Sequence, residues 1–540
     1  MRHPFAGLAD ATAIAPLREP VFRGLWLAWL VANLTMWTND VAAAWLMTSL
    51  TDSTVMVALV QTASTLPVFL LGVPSGAMAD IVDRRRFFAA TQLWVSVTAI
   101  LLAVLAATGA LTAHLLLVLV FLNGIGLAMR WPVFAAIVPD VVGRDRLPAA
   151  LALGGISMNL SRVIGPVIAG TLIATAGSAA VFALNAVLAA FAFWLGLRWR
   201  SAPAASTLPG ERFVGAMRIG LQHVRQSPRM RIVILRVFLF FLQSSALVAL
   251  LPLVARQLEH GGAAMYTAMM SCLGGGAIVA ALQFPRLRAR FDRDQFVRVG
   301  TLSHAVLSTL IVAVPDAFVA LPAMVLIGGS WISVANSLTV SAQTALPNWV
   351  RARGMSIYQM ALMGGTALGA GLWGQVAGMT SVTTAVIAAA LVGPLLLFAT
   401  RRWSVEGGGD EDYSPLPAHV PPDPPVRVGP DEGPVMVVVE YLIDPSRADA
   451  FVAVMRETRR ARLRQGALSW GLFRDTAVPG RYVEYFVDET WVEHQRRLAR
   501  FTAADEGLRE RRLAFHHGDG PPRVQRYVAA AMGAEPGMPL

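Results

Sequence analysis

The sequence predicts an all-α polytopic membrane protein of twelve helices in two six-helix halves, followed by a small C-terminal α+β domain of ferredoxin-like order. Three observations carry this. Of 540 residues, 55% are hydrophobic and only 15% charged, with mean hydropathy +0.55, whereas an ordinary soluble protein carries roughly a quarter charged residues. The apolar residues come in blocks of about twenty, the length that crosses a hydrocarbon core of roughly 30 Å. After residue 402 the composition shifts abruptly to Gly, Pro and acidic residues, and then to an amphipathic pattern.

Taken in order, residues 1–22 form a cytoplasmic N-terminus without a cleavable leader, because a full-length apolar span follows with no small-residue cleavage site. Candidate spans lie at 23–48, 54–78, 87–108, 113–135, 147–173 and 178–197, making 23–197 the N-terminal half. A connector at 198–231 leads to spans at 232–254, 263–285, 297–314, 318–340, 353–378 and 381–400, within a C-terminal half at 232–402. The halves look duplicated: Pro139 in Ile-Val-Pro-Asp matches Pro347 in Ala-Leu-Pro-Asn, an offset of 208 residues. The same offset carries the Asp80–Arg86 loop onto the Arg288–Asp294 loop.

The net charge of +11 is not a nucleic-acid signature. The chain has no Lys, and through residue 402 its arginines gather in alternate short loops: Arg84-Arg85-Arg86, Arg144 and Arg146, the 198–231 connector, Arg286 to Arg293, Arg351 and Arg353, and Arg401-Arg402. The opposite loops hold little beyond Arg256. The positive-inside rule then places both termini in the cytoplasm and requires an even number of spans. A single cysteine, Cys272, excludes a disulfide framework. With no Lys there is no P-loop, which argues against ATP-driven chemistry.

Residues 403–433, with Gly-Gly-Gly-Asp-Glu-Asp and Pro-Pro-Asp-Pro-Pro, read as an extended linker. Residues 434–530 read as soluble, with 531–540 as a tail. Val435–Leu442 is expected as a strand and Ser446–Arg464 as an amphipathic helix. A hairpin of 468–474 and 481–487 turns at Pro479-Gly480. A helix over 490–514 and a strand near 523–528 complete a βαββαβ order.

At the end of the second span, Gly76-Ala-Met-Ala-Asp80-Ile-Val-Asp83-Arg84-Arg85-Arg86 resembles the loop signature of the major facilitator superfamily, though Asp83 stands near where that family often has glycine. In the fifth span, Asn159-Leu-Ser-Arg162-Val-Ile-Gly165-Pro166-Val-Ile-Ala-Gly170 resembles its antiporter motif, with Ala169-Gly170 for the usual Gly-Gly. Ala44-Trp45-Leu46, Leu66-Pro67-Val68-Phe69-Leu70, Val138-Pro139 and Leu250-Leu251-Pro252 are similar to the enterobactin-exporter-like branch, the transmembrane secretion effectors, over residues 20–400. Residues 434–530 resemble an antibiotic-biosynthesis-monooxygenase-like module, which that branch sometimes bears. The resemblance implies the major facilitator fold, two halves around a central cavity, with Gly76, Asp80, Asp83, Arg84 and Arg85 as a gating motif and Gly165, Pro166 and Gly170 as a bending element.

Asp40 is the one acidic residue deep within a predicted span, a costly placement that commonly marks function. It is expected to take up a coupling proton or bind a cationic group; the alternative is a carboxylate near the outer end, hydrated or paired with Asn39 and Asn33. Arg162 and Arg130 are its candidate partners. Arg162 is favoured as cavity-facing, able to attract an anionic substrate, and Arg130 as snorkelling toward the cytoplasm. Asn159, Gln243 and Asn336 are candidate cavity amides, although helix-to-helix hydrogen bonding is the commoner use. Trp37, Trp331 and Trp373 are candidates for stacking a substrate, against the commoner role of interfacial anchor. His304 is expected to pack. His494, His516 and His517 match no standard metal spacing, and no nucleophile–base arrangement, cofactor loop or metal motif stands out.

These readings imply a bacterial cytoplasmic-membrane secondary transporter, not an enzyme. It would most naturally be a proton-coupled exporter of a drug, siderophore or secreted metabolite, with no cofactor and no nucleic-acid partner. Its partners would be a small-molecule substrate, the proton, the lipid bilayer and, through the C-terminal domain, a second copy of the chain. An importer, or a membrane-anchored enzyme or sensor, is the alternative.

Overall fold

The computed structural model describes residues 14–81, 83–142, 146–198, 213–258, 261–288, 290–406, 412–414, 416 and 426–530. The expected N-terminus through residue 13, the tail at 531–540 and much of the expected linker lie outside them. Packing divides the chain into two compact units. One comprises Met1–Gly210, Ile232–Ala342 and Met355–Glu406; the other comprises Glu211–Arg231, Gln343–Gly354 and Gly407–Leu540.

The first unit is helical. Its elements are α1 (Pro20–Leu50), α2 (Thr54–Ile81), α3 (Arg84–Ala107), α4 (Ala113–Val141) and α5 (Leu147–Arg198), then, after the connector helix α6 (Phe213–Gln226) of the other unit, α7 (Pro228–Gln257), α8 (Ala263–Arg288), α9 (Arg293–Ala313), α10 (Ala317–Thr344), α11 (Arg351–Met379) and α12 (Val382–Ala399). Their starts follow local chemistry. Asp83 accepts from the Arg86 amide to cap α3, and Ser381 does the same for α12 through Thr384. Asp292 and Gln295 form a reciprocal capping box on α9.

Two expected spans, 147–173 and 178–197, run together as α5, interrupted only at Gly177, whose φ of +78° needs a residue without Cβ. Among the described residues, nine helices are long and apolar enough to cross a membrane, α5 counting as one of them. α1 and α11, at 31 and 29 residues, are long enough but are not among the nine: their polar and glycine positions lower their mean hydropathy.

α1 packs on α5, α2 on α4, α3 on α5, α9 on α12, and α5 on α8. One apolar core threads both halves, through Val41 and Met47 of α1, Phe182 of α5, Leu250 of α7, Met269 of α8, Ile327 of α10 and Val386 of α12. Helix crossings here are close because lipid supplies no hydrophobic drive, so association rests on packing. One close crossing is α8 on α10, where a Cβ on Gly276 would collide with the Val325 carbonyl and one on Gly328 with the Leu273 carbonyl.

The second unit contains an antiparallel sheet of order β2-β3-β1-β4, from β1 (Val435–Leu442), β2 (Ser469–Arg474), β3 (Arg481–Asp488) and β4 (Arg523–Val528). α13 (Ala448–Arg464) follows β1, and the helix expected over 490–514 divides into α14 (Trp491–Ala499) and α15 (Ala503–Leu513). The break follows from the Thr502 capping box with Asp505, which starts a new helix. Val437, Tyr441, Phe451, Met455 and Phe486 fill the core. On the opposite face of the sheet Met436, Leu442, Phe473 and Tyr527 are 38–59% exposed.

Candidate functional site

Arg162 of α5 stands where α1, α8 and α10 come together. Its guanidinium lies 5.4 Å from the ring of Trp37 on α1 and 5.0 Å from that of Trp331 on α10, one tryptophan from each half. Its Nε and Nη1 are sealed from water and have no hydrogen-bond partner among the described residues. The backbone around it is drawn tight by small residues. A Cβ on Gly165 would lie 2.6 Å from the Trp37 Cβ, one on Gly274 of α8 would lie 3.2 Å from the Arg162 carbonyl, and one on Gly170 would collide with Thr267 of α8. The glycines of the antiporter-like segment therefore let α5 approach α1 and α8, and Pro166 lies inside the helix between them.

Asp40 lies one turn beyond Trp37 on α1, three residues along the same helix face. It is half-buried, takes no described ion pair, and is an electrostatic neighbour of Tyr266 on α8. Tyr266 stacks on Trp45 at 5.9 Å, and Arg256 covers the other ring contact of Trp45 at 5.3 Å. Neither Arg162 nor Arg130 pairs with Asp40. Arg162 is instead held by ring faces, and Arg130 donates from Nη1 to the Ala32 carbonyl at 2.8 Å. Arg130 is 1% exposed and lies 5.4 Å from the Trp29 ring, so the snorkelling expected for it does not occur: α1 and Trp29 enclose it.

The amides part company. Asn159 donates to the Gly155 carbonyl of its own helix at 3.0 Å. Gln243 is 2% exposed and faces Gly393 of α12, beside a small cavity that Arg236, Phe240, Thr301 and Leu397 also line. Phe241 touches Trp331, and a residue two places on points to the other side of a helix, so Gln243 does not join Arg162. Asn336 is half-buried on α10 with no described side-chain hydrogen bond. Trp373 is buried and donates to the Leu242 carbonyl at 2.8 Å, neither an anchor nor a stacking face. His304 packs beneath Phe240 and Ser308. In the segment expected to gate, Asp83 is the exposed cap of α3; the side chains of Asp80, Arg84 and Arg85, and Gly76, lie outside what is described.

The second unit holds a feature the sequence reading missed. α6 is strongly amphipathic and docks on the C-terminal domain. Ile219 is 2% exposed and sits at Gly466; Gln222 donates to the Ala467 carbonyl at 2.8 Å, and Arg218 pairs with Glu489 at 2.7 Å. The His223 Nδ1–H donates to the Arg464 carbonyl at 3.2 Å, while its Nε2 is buried with no hydrogen-bond partner among the described residues. The ring meets Trp349 edge-on at 5.5 Å, and Arg500 lies 4.8 Å from the same indole. Burial foremost, then the Arg464 charge, holds the His223 imidazole down to about 3.

That shift has a measurable consequence. Docked His223 binds protons more weakly than the free side chain at about 6.5, so docking is at full strength above that pH and weakens as pH falls toward about 3. The groups facing the ring are Trp349, the Arg464 backbone and guanidinium, and Arg500; no described carboxylate contacts it to offset the charge. From pH 6.5 to 5.5, hydrogen exchange in α6, corrected for intrinsic rate, is expected to rise several-fold, toward the tenfold limit of one proton. His223→Phe should flatten that dependence; an unchanged pH response in the variant would refute the assignment.

Inside the domain the histidines have structural partners. His494 donates from Nδ1 to Asp488 at 2.7 Å and its Nε2 faces the Arg526 Nε at 3.3 Å, while His516 accepts from the Leu442 amide at 3.1 Å. Glu484, wholly buried, is held below the usual carboxylate range by Arg462 and Arg512 against its own burial, with further donors in Trp470 and Arg462.

The family model described as "Transmembrane secretion effector" matches residues 11–533, a span that takes in the sheet domain as well as the helices. Among curated proteins, the chain is 25% identical over 387 residues to the enterobactin exporter EntS of Escherichia coli O1:K1 / APEC, covering 70% of this chain and 91% of that one. It is 23% identical to the staphyloferrin A transporter of Staphylococcus aureus (strain NCTC 8325 / PS 47), covering 46% of this chain and 63% of that one. It is 22% identical to macrolide efflux protein A of Streptococcus pyogenes, over 31% and 40%. Among solved structures, the fold is similar to the nucleoside transporter NupG (TM-score 0.58, 14% identity, 71% of this chain and 98% of that one). It is equally similar to a bacterial homolog of the human lysosomal transporter Spinster in an inward-facing conformation (TM-score 0.58, 13% identity, 72% and 98%). The match across nearly the whole length, over a mostly helical fold with major facilitator-type neighbours, means that the chain belongs to the transmembrane secretion effectors, a family of major facilitator-type transporters.

Proposed function

We propose that this transporter is a proton-coupled exporter of a small molecule, working by alternating access at a bacterial cytoplasmic membrane. The observation that carries the reading is the seam itself: a carboxylate with no described ion pair, Asp40, lies one helical turn from Trp37, whose ring together with that of Trp331 flanks the Arg162 guanidinium. Ionisable groups at membrane depth are expensive and mark substrate or proton pathways. Asp40 would carry the proton and Arg162 would face the substrate, with Asn336 a lesser lining group. Asn159 and Gln243 would be further polar groups of the pathway, Asn159 held to the Gly155 carbonyl of its own helix and Gln243 beside the small cavity at Gly393. Gly165, Pro166 and Gly170 would let α5 bend, and the Gly76–Arg85 segment would latch the cytoplasmic side. Twelve spans, with α5 counted as two at Gly177, together with arginines gathered in alternate loops would put both termini in the cytoplasm; the domain limits 1–22, 23–197, 198–231, 232–402, 403–433, 434–530 and 531–540 belong to this reading.

The C-terminal domain would serve as an interaction module without catalysis of its own. Its uncovered apolar sheet face, with Phe473 stacked on Tyr485 at 5.6 Å, supports self-association with a second copy.

Cells expressing the chain and loaded with a panel of dyes, macrolides and siderophores test the reading. Efflux of at least one member above vector controls, collapsing with an uncoupler, is expected. Efflux that persists after uncoupling would remove the proton from the proposal, and inward accumulation would reverse its direction.

A further inference from the structure

The Arg162 environment specifies more than a pathway. A buried cation normally has a carboxylate or several carbonyl acceptors, since an unpaired one leaves desolvation uncompensated. Arg162 has neither on its Nε and Nη1. Two ring faces attract the guanidinium only weakly and do not replace the lost hydration. Asp40, one turn from Trp37 on the same face of α1, forms no described ion pair with Arg162. The site thus holds donors without acceptors, bounded by aromatic walls contributed by both halves.

Resting on the transporter reading, we propose that the substrate class is an aromatic oxyanion, a small molecule presenting a carboxylate or phenolate to Arg162 with its ring against Trp37 or Trp331. The guanidinium fork matches a carboxylate in plane and charge. The indole faces match a flat apolar body by offset or edge-on stacking. Because Trp37 and Trp331 sit on opposite halves, a ring between them contacts both partners of the rocking motion.

The test uses the purified full-length chain and isothermal titration with three probes of one ring system: 1-naphthoate, neutral 1-naphthalenemethanol and cationic 1-naphthylmethylamine. Naphthoate is expected to bind at least tenfold tighter than either of the others. Arg162→Gln should erase that preference, Arg162→Lys should keep part of it, and Trp331→Leu should weaken all aromatic binding. Thermal unfolding of each variant confirms that it is folded. If folded Arg162→Gln keeps the naphthoate preference, or if wild type favours the neutral or cationic probe or binds none, the assignment is overturned. Those outcomes leave the transporter reading standing wherever uncoupler-sensitive efflux of a panel member persists; loss of efflux in every panel experiment is what strikes that reading.

Discussion

Asp40→Asn is expected to lower pH-gradient-driven transport at least tenfold in proteoliposomes while leaving gradient-free substrate exchange within about twofold of wild type. Asparagine keeps the size and hydrogen-bonding edge of the side chain but can neither release nor accept the proton. The native carboxylate is half-buried on the seam without a cation, so its charge state is the quantity that a change of conformation can couple to. A variant that loses exchange together with gradient-driven transport would point to a structural role. Unchanged gradient-driven transport with an unchanged pH profile would move the coupling site elsewhere.

The second large effect is on folding. Gly328→Val is expected to reduce the yield of monodisperse protein several-fold, with a lower unfolding temperature in what remains. Its Cβ would run into the Leu273 carbonyl, and the reciprocal contact at Gly276 against the Val325 carbonyl leaves the α8–α10 crossing no room to yield. Overpacking of this kind costs about 1–3 kcal/mol or more. The neighbouring Gly329→Ala is the control, because its Cβ would lie 3.5 Å from that of Ala280, an ordinary contact. A wild-type unfolding temperature in Gly328→Val would show that the two helices are not packed this closely.

The periodic and capped parts of the chain were legible in its sequence. The last strand falls at the expected residues, and the β2–β3 hairpin turns at Gly480, whose φ is +81°. Local signals settle such features: period-two alternation, Gly at a positive φ, and polar residues at helix starts. What escaped was set by contacts distant in sequence. Arg130 reads as a snorkelling residue until Ala32 and Trp29 close over it. Gln243 reads as an amide of a central cavity, and its position beside Gly393 and a small cavity with Arg236 and Thr301 follows from the α12 packing. The docking of α6 depends on Ala467, Arg464 and Glu489, more than two hundred residues away. Its only sequence signal was the amphipathic pattern of 213–226, which the arginine count obscured. The Arg162–Trp37–Trp331 cluster was half-legible, since each residue was singled out but nothing in the spacing brought the three together.

The central claim, that a proton moves against a small molecule through this chain, is tested most directly with purified protein in liposomes that trap a pH-sensitive dye. With no gradient imposed, outward-to-inward loading of a panel substrate should drive protons the opposite way, shifting the internal pH only in vesicles that contain the protein and only with transported panel members. Substrate movement with no accompanying pH change would contradict the account.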